Sequence, residues 1–173
     1  MPANTAQRTL RTIGADAETA AADERRAPSA VSEIALDDVS ILVIEDDDSD
    51  AELISEILRR MSPVGSLVRA VDGRQALDIV SESAFRPHLI LLDLNMPRMN
   101  GFEFLAAARE IPLLRGVPVV VLTTSARYAD VREALKGTAS SYIVKPESLA
   151  ELSEKIEKVL LSITRGDYLD RRI

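Results

Sequence analysis

Five short apolar runs, each followed by an amphipathic stretch, constrain this chain more than any other feature. The runs are Ile41–Ile44, Leu67–Val71, Leu89–Leu92, Val117–Leu122 and Tyr142–Val144. They are short, and several are rich in Val and Ile, as strands covered by helices on both faces are. The stretches between them carry helix-start chemistry. Ser49 with Glu52, Asp72 with Gln75, Asn100 with Glu103 and Ser148 with Glu151 all have the capping-box spacing. On this reading Ser49 caps the first helix, which turns Leu53, Ile54, Ile57, Leu58 and Met61 to the core and stops at Pro63 and Gly65. A further helix over about Ala129–Lys136 stops at Gly137. In the last helix Glu151–Lys155 and Glu154–Lys158 are i,i+4 pairs in the favourable order. The pattern is βαβαβαβαβα over residues 39–163, an α/β unit with right-handed crossovers and an open parallel sheet.

Outside that unit the composition changes. Residues 1–38 are rich in Ala, Thr, Glu, Asp and Arg and poor in large apolar side chains, so they read as a disordered arm. Residues 164–173 are a short C-terminal tail. The 173-residue chain has no cysteine, which excludes disulfides, thiolate metal sites and cysteine catalysis. Its one histidine, His88, excludes a multi-histidine zinc site and shows no partner signal. A formal charge of −7 argues against a sequence-independent grip on nucleic-acid phosphates. No apolar run is long enough to span a bilayer, and Met1–Gly14 lacks the apolar core of a signal peptide. The cytoplasm is the expected compartment.

In open α/β sheets, ligands bind at the carboxyl ends of the strands. The residues just past each strand are therefore informative. Glu45, Asp46, Asp47 and Asp48 come after the first, and Asp93 and Asn95 after the third. Thr123, Thr124 and Ser125 come after the fourth, and Lys145-Pro146 after the fifth. Clustered acids with a carbonyl oxygen suit Mg²⁺, which keeps positions open for a phosphate. Lys145 and Thr123 could then hold phosphoryl oxygens, and Asp93 could be the carboxylate nucleophile of aspartyl-phosphate chemistry.

At these residues the chain resembles the response-regulator receiver domain of two-component signalling. The segments that carry the likeness are ILVIEDD at Ile41–Asp47, LILLDLNMPRMNG at Leu89–Gly101, VPVVVLTTS at Val117–Ser125 and SYIVKP at Ser141–Pro146. The resemblance spans residues 39–163. It implies a flavodoxin-like doubly wound sheet in the order 2-1-3-4-5. Asp93 takes the place of the phosphorylated aspartate. Glu45 and Asp46 take that of the Mg²⁺-holding acids, with Asp93 and the backbone carbonyl of Asn95 as further ligands. Thr123 matches the switch hydroxyl, Tyr142 the switch aromatic and Lys145 the family's lysine, with a cis bond to Pro146. The implied partners are a sensor histidine kinase or phosphotransfer protein and a downstream protein, without nucleic acid or membrane. A homodimer is a further possibility, through the face of the fourth helix and fifth helix, extended by Tyr168, Leu169 and Ile173. The wording of LLDLNMP and VVVLTTS is similar to small receivers that partner bacterial phytochrome kinases. Only ten residues lie beyond Ile163, so the expectation is a stand-alone receiver with no DNA-binding output domain. Its only chemistry would be its own phosphorylation and dephosphorylation.

Plainer readings stand beside these. Ser49 caps a helix, with Asp48 and Asp50 as solvated partners of its dipole, while Asp47 stays open. Thr124 and Ser125 start the next helix. Gly101 permits a tight turn into its helix. Tyr142 is a packed aromatic if it is not a switch. Two other functions remain: a receiver-like scaffold that is never phosphorylated, and a phosphatase with an aspartate nucleophile. The second needs a proton-transferring acid two residues after Asp93, where Asn95 stands.

Overall fold

The apolar runs form the strands β1 Ser40–Ile44, β2 Ser66–Ala70, β3 Leu89–Asp93, β4 Val119–Thr123 and β5 Ser141–Val144. They make one parallel sheet in the order β2-β1-β3-β4-β5, the doubly wound order expected. The computed structural model describes residues 35–61, 64–124 and 139–167. The expected helix over 129–136, the stops at Pro63 and Gly137, Ser125, most of the arm and the dimer residues Tyr168, Leu169 and Ile173 lie outside the described residues. Four helices are described: α1 Asp48–Met61, α2 Gly73–Glu82, α3 Gly101–Ala108 and α4 Leu149–Thr164.

Strand alternation sends each run to two cores. Leu42, Ile44, Ile90, Leu92, Val119 and Val121 face α2 and α3, where Ala76, Val80, Phe104 and Leu105 meet them. Ile41, Val43, Leu89, Leu91, Val120 and Leu122 face α1 and α4, against Ile54, Leu58, Ile156 and Val159. Each fully buried Leu or Ile contributes on the order of 2 kcal/mol relative to its exposed state. The central strands β1, β3 and β4 carry most of this. β2 and β5 are edges, and most of β2 is only half-buried. β4 begins two residues later than its apolar run, because Pro118 has no N–H for the ladder and joins only as an acceptor for the Ile90 N–H at 3.0 Å.

Helix starts match the spacing unevenly. Asn100 and Glu103 form the full reciprocal box. Asp72 accepts from the Gln75 N–H at 2.7 Å, but Gln75 reaches back to the Val71 N–H instead. Ser148 makes no side-chain capping bond, and Glu151 is engaged by Lys155 at 3.3 Å. At α1 the cap is Asp47, not Ser49. Its Oδ1 accepts from the Asp50 N–H at 2.9 Å and its carbonyl from the Ala51 N–H at 3.0 Å. A carboxylate is a stronger acceptor than a hydroxyl, so the helix starts earlier and Ser49 lies inside its first turn.

The folded unit also begins earlier than Val39. Leu36–Asp38 forms a 3₁₀ turn, and Leu36 packs on the α1/α4 core. A Cβ on Gly65 would collide with the Asp37 carbonyl, so the glycine permits this docking. His88 has a structural role: its Nδ1 accepts from the Ser40 N–H at 3.0 Å. No cis peptide occurs among the described residues, so the Lys145–Pro146 bond is trans, contrary to what the resemblance implies.

Candidate phosphoacceptor site

The parallel order places the ends of β1, β3, β4 and β5 side by side along one edge. Glu45 directly follows β1, and its N–H donates to the Ala70 carbonyl at 3.0 Å. Asp93 is the last residue of β3, in register with Leu122, one residue before Thr123. Lys145 follows β5, and its N–H donates to the Thr123 carbonyl at 2.8 Å. Carboxylate oxygens of Glu45, Asp46 and Asp93 lie within 4.8 Å of one another. Glu45 and Asp93 are buried and Asp46 is exposed.

The Lys145 ammonium lies among three acids. Nζ donates to Glu45 Oε2 at 2.8 Å and to Asp50 Oδ2 at 2.5 Å, and stands 3.8 Å from Asp93 Oδ1. Glu45 Oε1 accepts from the Asp47 N–H at 3.2 Å, and Asp93 Oδ2 from the Asn95 N–H at 2.7 Å. Burial pushes the Glu45 carboxyl above the ordinary value, against the pull of Lys145. Burial likewise raises Asp93; Lys145 and the Asn95 N–H oppose it, and Asp46 adds to it. Burial pulls Lys145 down, but its bonds to Asp50 and Glu45 outweigh that, and its pKa stands raised.

The donor set is wholly oxygen, with two buried acids beside an exposed one. That fits a hard divalent cation such as Mg²⁺ and lacks the nitrogen or sulfur a transition metal would favour. Asn95 is exposed beside Asp93, and Thr123 is fully buried at the strand edge. Tyr142 is half-buried, in register with Val121 and packed on the α2/α3 core, two residues short of that edge.

Two contributors escape the spacing argument. Helix-start spacing makes Asp50 a solvated dipole partner, yet it holds Lys145. With Asp47 as the cap, Asp50 becomes the third residue of α1, which turns it back over the site. Arg69, on β2, reaches the β1–α1 loop, and nothing in its local sequence signals that.

The β3–α3 loop closes tightly over Asp93. Gly101 donates its N–H to the Leu94 carbonyl at 3.1 Å. A Cβ at Gly101 would lie 2.5 Å from the Asp93 carbonyl oxygen and 2.8 Å from Leu94 Cα, both backbone atoms. Gly101→Ala is therefore expected to lose about 2 kcal/mol in a denaturant melt. An unchanged midpoint would show that this loop yields freely.

A family model of the response regulator receiver domain matches residues 41–157. The chain belongs to the response-regulator receiver family. It is 37% identical over 123 residues to the probable methanogenesis regulatory protein FilR2 of Methanothrix harundinacea, covering 69% of this chain and 79% of that protein. It is 35% identical over 124 residues to response regulator Rcp1 of Synechocystis, covering 69% and 84%. The Mn²⁺-bound crystal structure of Rcp1 superposes with a TM-score of 0.62 at 34% identity, over 70% of this chain and 91% of that one. The phosphorylated cyanobacterial phytochrome response regulator RcpA gives a TM-score of 0.68 at 31% identity, over 75% and 96%. Among the described residues no helix is long and apolar enough to cross a membrane.

Proposed function

We propose that this receiver accepts a phosphoryl group on Asp93 from a sensor histidine kinase or phosphotransfer protein and switches a protein-binding face. The observation that carries the reading is the cluster of Glu45, Asp46 and Asp93, with Lys145 against Glu45 and Asp93. Asp46, Glu45, Asp93 and the Asn95 carbonyl would hold Mg²⁺, as the Mn²⁺ form of Rcp1 supports. When bound, Mg²⁺ supplies charge neutralisation among the acids and the incoming phosphoryl oxygens.

Asp93 Oδ1, the oxygen nearer Lys145, attacks phosphorus. The new P–O bond forms as the P–N bond of the donor phosphohistidine breaks, and the imidazole departs with that electron pair and takes up a proton. Lys145 and Thr123 then bond the phosphoryl oxygens. Lys145 must loosen from Glu45 and Asp50 to do so. Movement of Thr123, with Tyr142 turning inward, alters the face that β5 and α4 present. Such a local charge event biases a two-state element only by its differential affinity for the two states.

The reading makes the protein a signalling module with no substrate turnover beyond its own phosphorylation and dephosphorylation. Output through protein contacts is supported by the likeness to Rcp1 and RcpA, of which the match covers 84% and 96%. RcpA also supports a kinase of the bacterial phytochrome type. A cytoplasmic setting and homodimerisation through the switching face belong to the same proposal.

The test is intact-protein mass after incubation with acetyl phosphate and Mg²⁺. One phosphoryl adduct is expected, absent from Asp93→Ala and absent when Mg²⁺ is chelated. If neither acetyl phosphate nor a phosphorylated histidine kinase labels the chain, a phosphorylation-independent scaffold replaces this reading.

A further inference from the structure

We infer that Arg69 is a positioning residue that aims the Asp46 carboxylate into the cation site. The inference rests on the proposed reading of Glu45, Asp46 and Asp93 as that site.

Arg69 lies on the edge strand β2, in register with Val43 of β1. Its guanidinium reaches past the strand end to the acidic loop. Nε donates to the Glu45 carbonyl at 3.1 Å, and Nη2 to the Asp46 carbonyl at 3.1 Å. Nη1 donates to Asp48 Oδ1 at 2.7 Å. The two carbonyls belong to the two peptide planes that flank the Asp46 α-carbon. Fixing both planes fixes φ and ψ of Asp46, and with them the direction of its Cα–Cβ bond. Asp46 is the exposed acid of the cluster, so burial does little to aim it. Glu45, by contrast, is held by Lys145 and the Asp47 N–H.

Charge alone points the other way. A cation beside a divalent-metal site repels the metal, so removing Arg69 should strengthen metal binding if only charge mattered. The aiming role predicts weaker binding. Lysine separates the two effects. It keeps the charge but cannot span two carbonyls and a carboxylate with one rigid fork.

The experiment measures Mn²⁺ affinity of the full chain from the EPR signal of the free ion, for wild type, Arg69→Lys and Arg69→Gln. Hydrogen exchange of the loop amides is followed in the metal-free proteins. The expected result is roughly tenfold or greater weakening in both variants, the range seen when groups that orient metal ligands are lost. Faster exchange should be confined to residues 46–50. A merely structural arginine would instead loosen β1 and β2 together and leave the affinity of the folded protein unchanged. Wild-type affinity in Arg69→Lys, or tighter binding in Arg69→Gln, overturns the inference and leaves the Mg²⁺ reading intact. If the wild-type chain binds no Mn²⁺, that reading fails and the aiming role falls with it. Should Arg69→Gln fold poorly, Arg69→Lys carries the comparison, with melting curves confirming its fold.

Discussion

Asp93→Asn should yield a protein that takes up no phosphoryl group yet melts higher than the wild type. The loss of labelling is complete, because an amide oxygen is no nucleophile toward phosphorus here. The gain in stability follows from opposing effects at one carboxylate. Asp93 is only 7% exposed, and burial together with nearby Asp46 disfavours its charge. Lys145 and the Asn95 N–H favour that charge but do not prevail, since the pKa stands raised. A carboxyl with a raised folded pKa helps folding fully below its unfolded value and loses that help as pH rises through the folded value. Near pH 7 the ionised Asp93 is therefore a net cost, which asparagine removes. The gain should be about 1 kcal/mol, or roughly 3 °C in a domain of this size. The gap between the two proteins should narrow as the pH falls through the raised Asp93 pKa, because the wild-type carboxyl then takes up its proton. Added Mg²⁺ should close it from the other side, since binding to the native state stabilises the wild type more. Melting curves at two pH values, with and without Mg²⁺, check all three. A variant that melts lower than wild type near pH 7 would mean that the Lys145 attraction outweighs the burial of Asp93.

Sequence pattern reached the sheet and its two cores because alternation in a doubly covered strand is a local property. Leu42 and Ile44 go to one face, and Ile41 and Val43 to the other, whatever the rest of the chain does. The chemistry-bearing residues at the strand ends were legible for the same reason. Their roles in phosphoryl transfer came from resemblance and belong to the proposal. The illegible parts depend on competition or register. Four consecutive acids, Glu45–Asp48, offer several caps, and capping-box spacing selected Ser49 where the stronger acceptor Asp47 prevails. That shift hid Asp50, which reaches Lys145 only from the third position of α1. Arg69 is a contact of register: β2 pairs with β1 so that position 69 lies beside Val43 and below the acidic loop. Nothing within a few residues of Arg69 encodes that. The half-exposure of β2 likewise follows from the strand order, which puts it at an edge.

Lys145→Ala should be the most destabilising change in the site. The side chain is 12% exposed and bonds Glu45, whose side chain is 3% exposed. Its removal leaves a buried carboxylate without its cation and frees Asp50 from its partner. Breaking a buried pair in this way costs about 3 kcal/mol, so the melting temperature should fall by roughly 10 °C. The pH dependence gives the cause. Lys145 has a raised pKa, so its contribution is full below its ordinary value and is lost only as pH rises through the folded one. In the wild type that contribution is constant across the neutral and mildly acidic range. In the variant the uncompensated Glu45, already raised by burial, governs instead, and stability should recover as the pH falls and Glu45 takes up a proton. Glu45→Gln added to Lys145→Ala should restore part of the loss near pH 7 and abolish most of that recovery. Because the two residues touch, the double-mutant cycle should be strongly non-additive. Mg²⁺ should raise the melting temperature of Lys145→Ala more than that of the wild type, since one cation then replaces another among the same acids. A variant that melts with the wild type, or that loses further stability on mild acidification, would show that Glu45 is solvated well enough without the lysine.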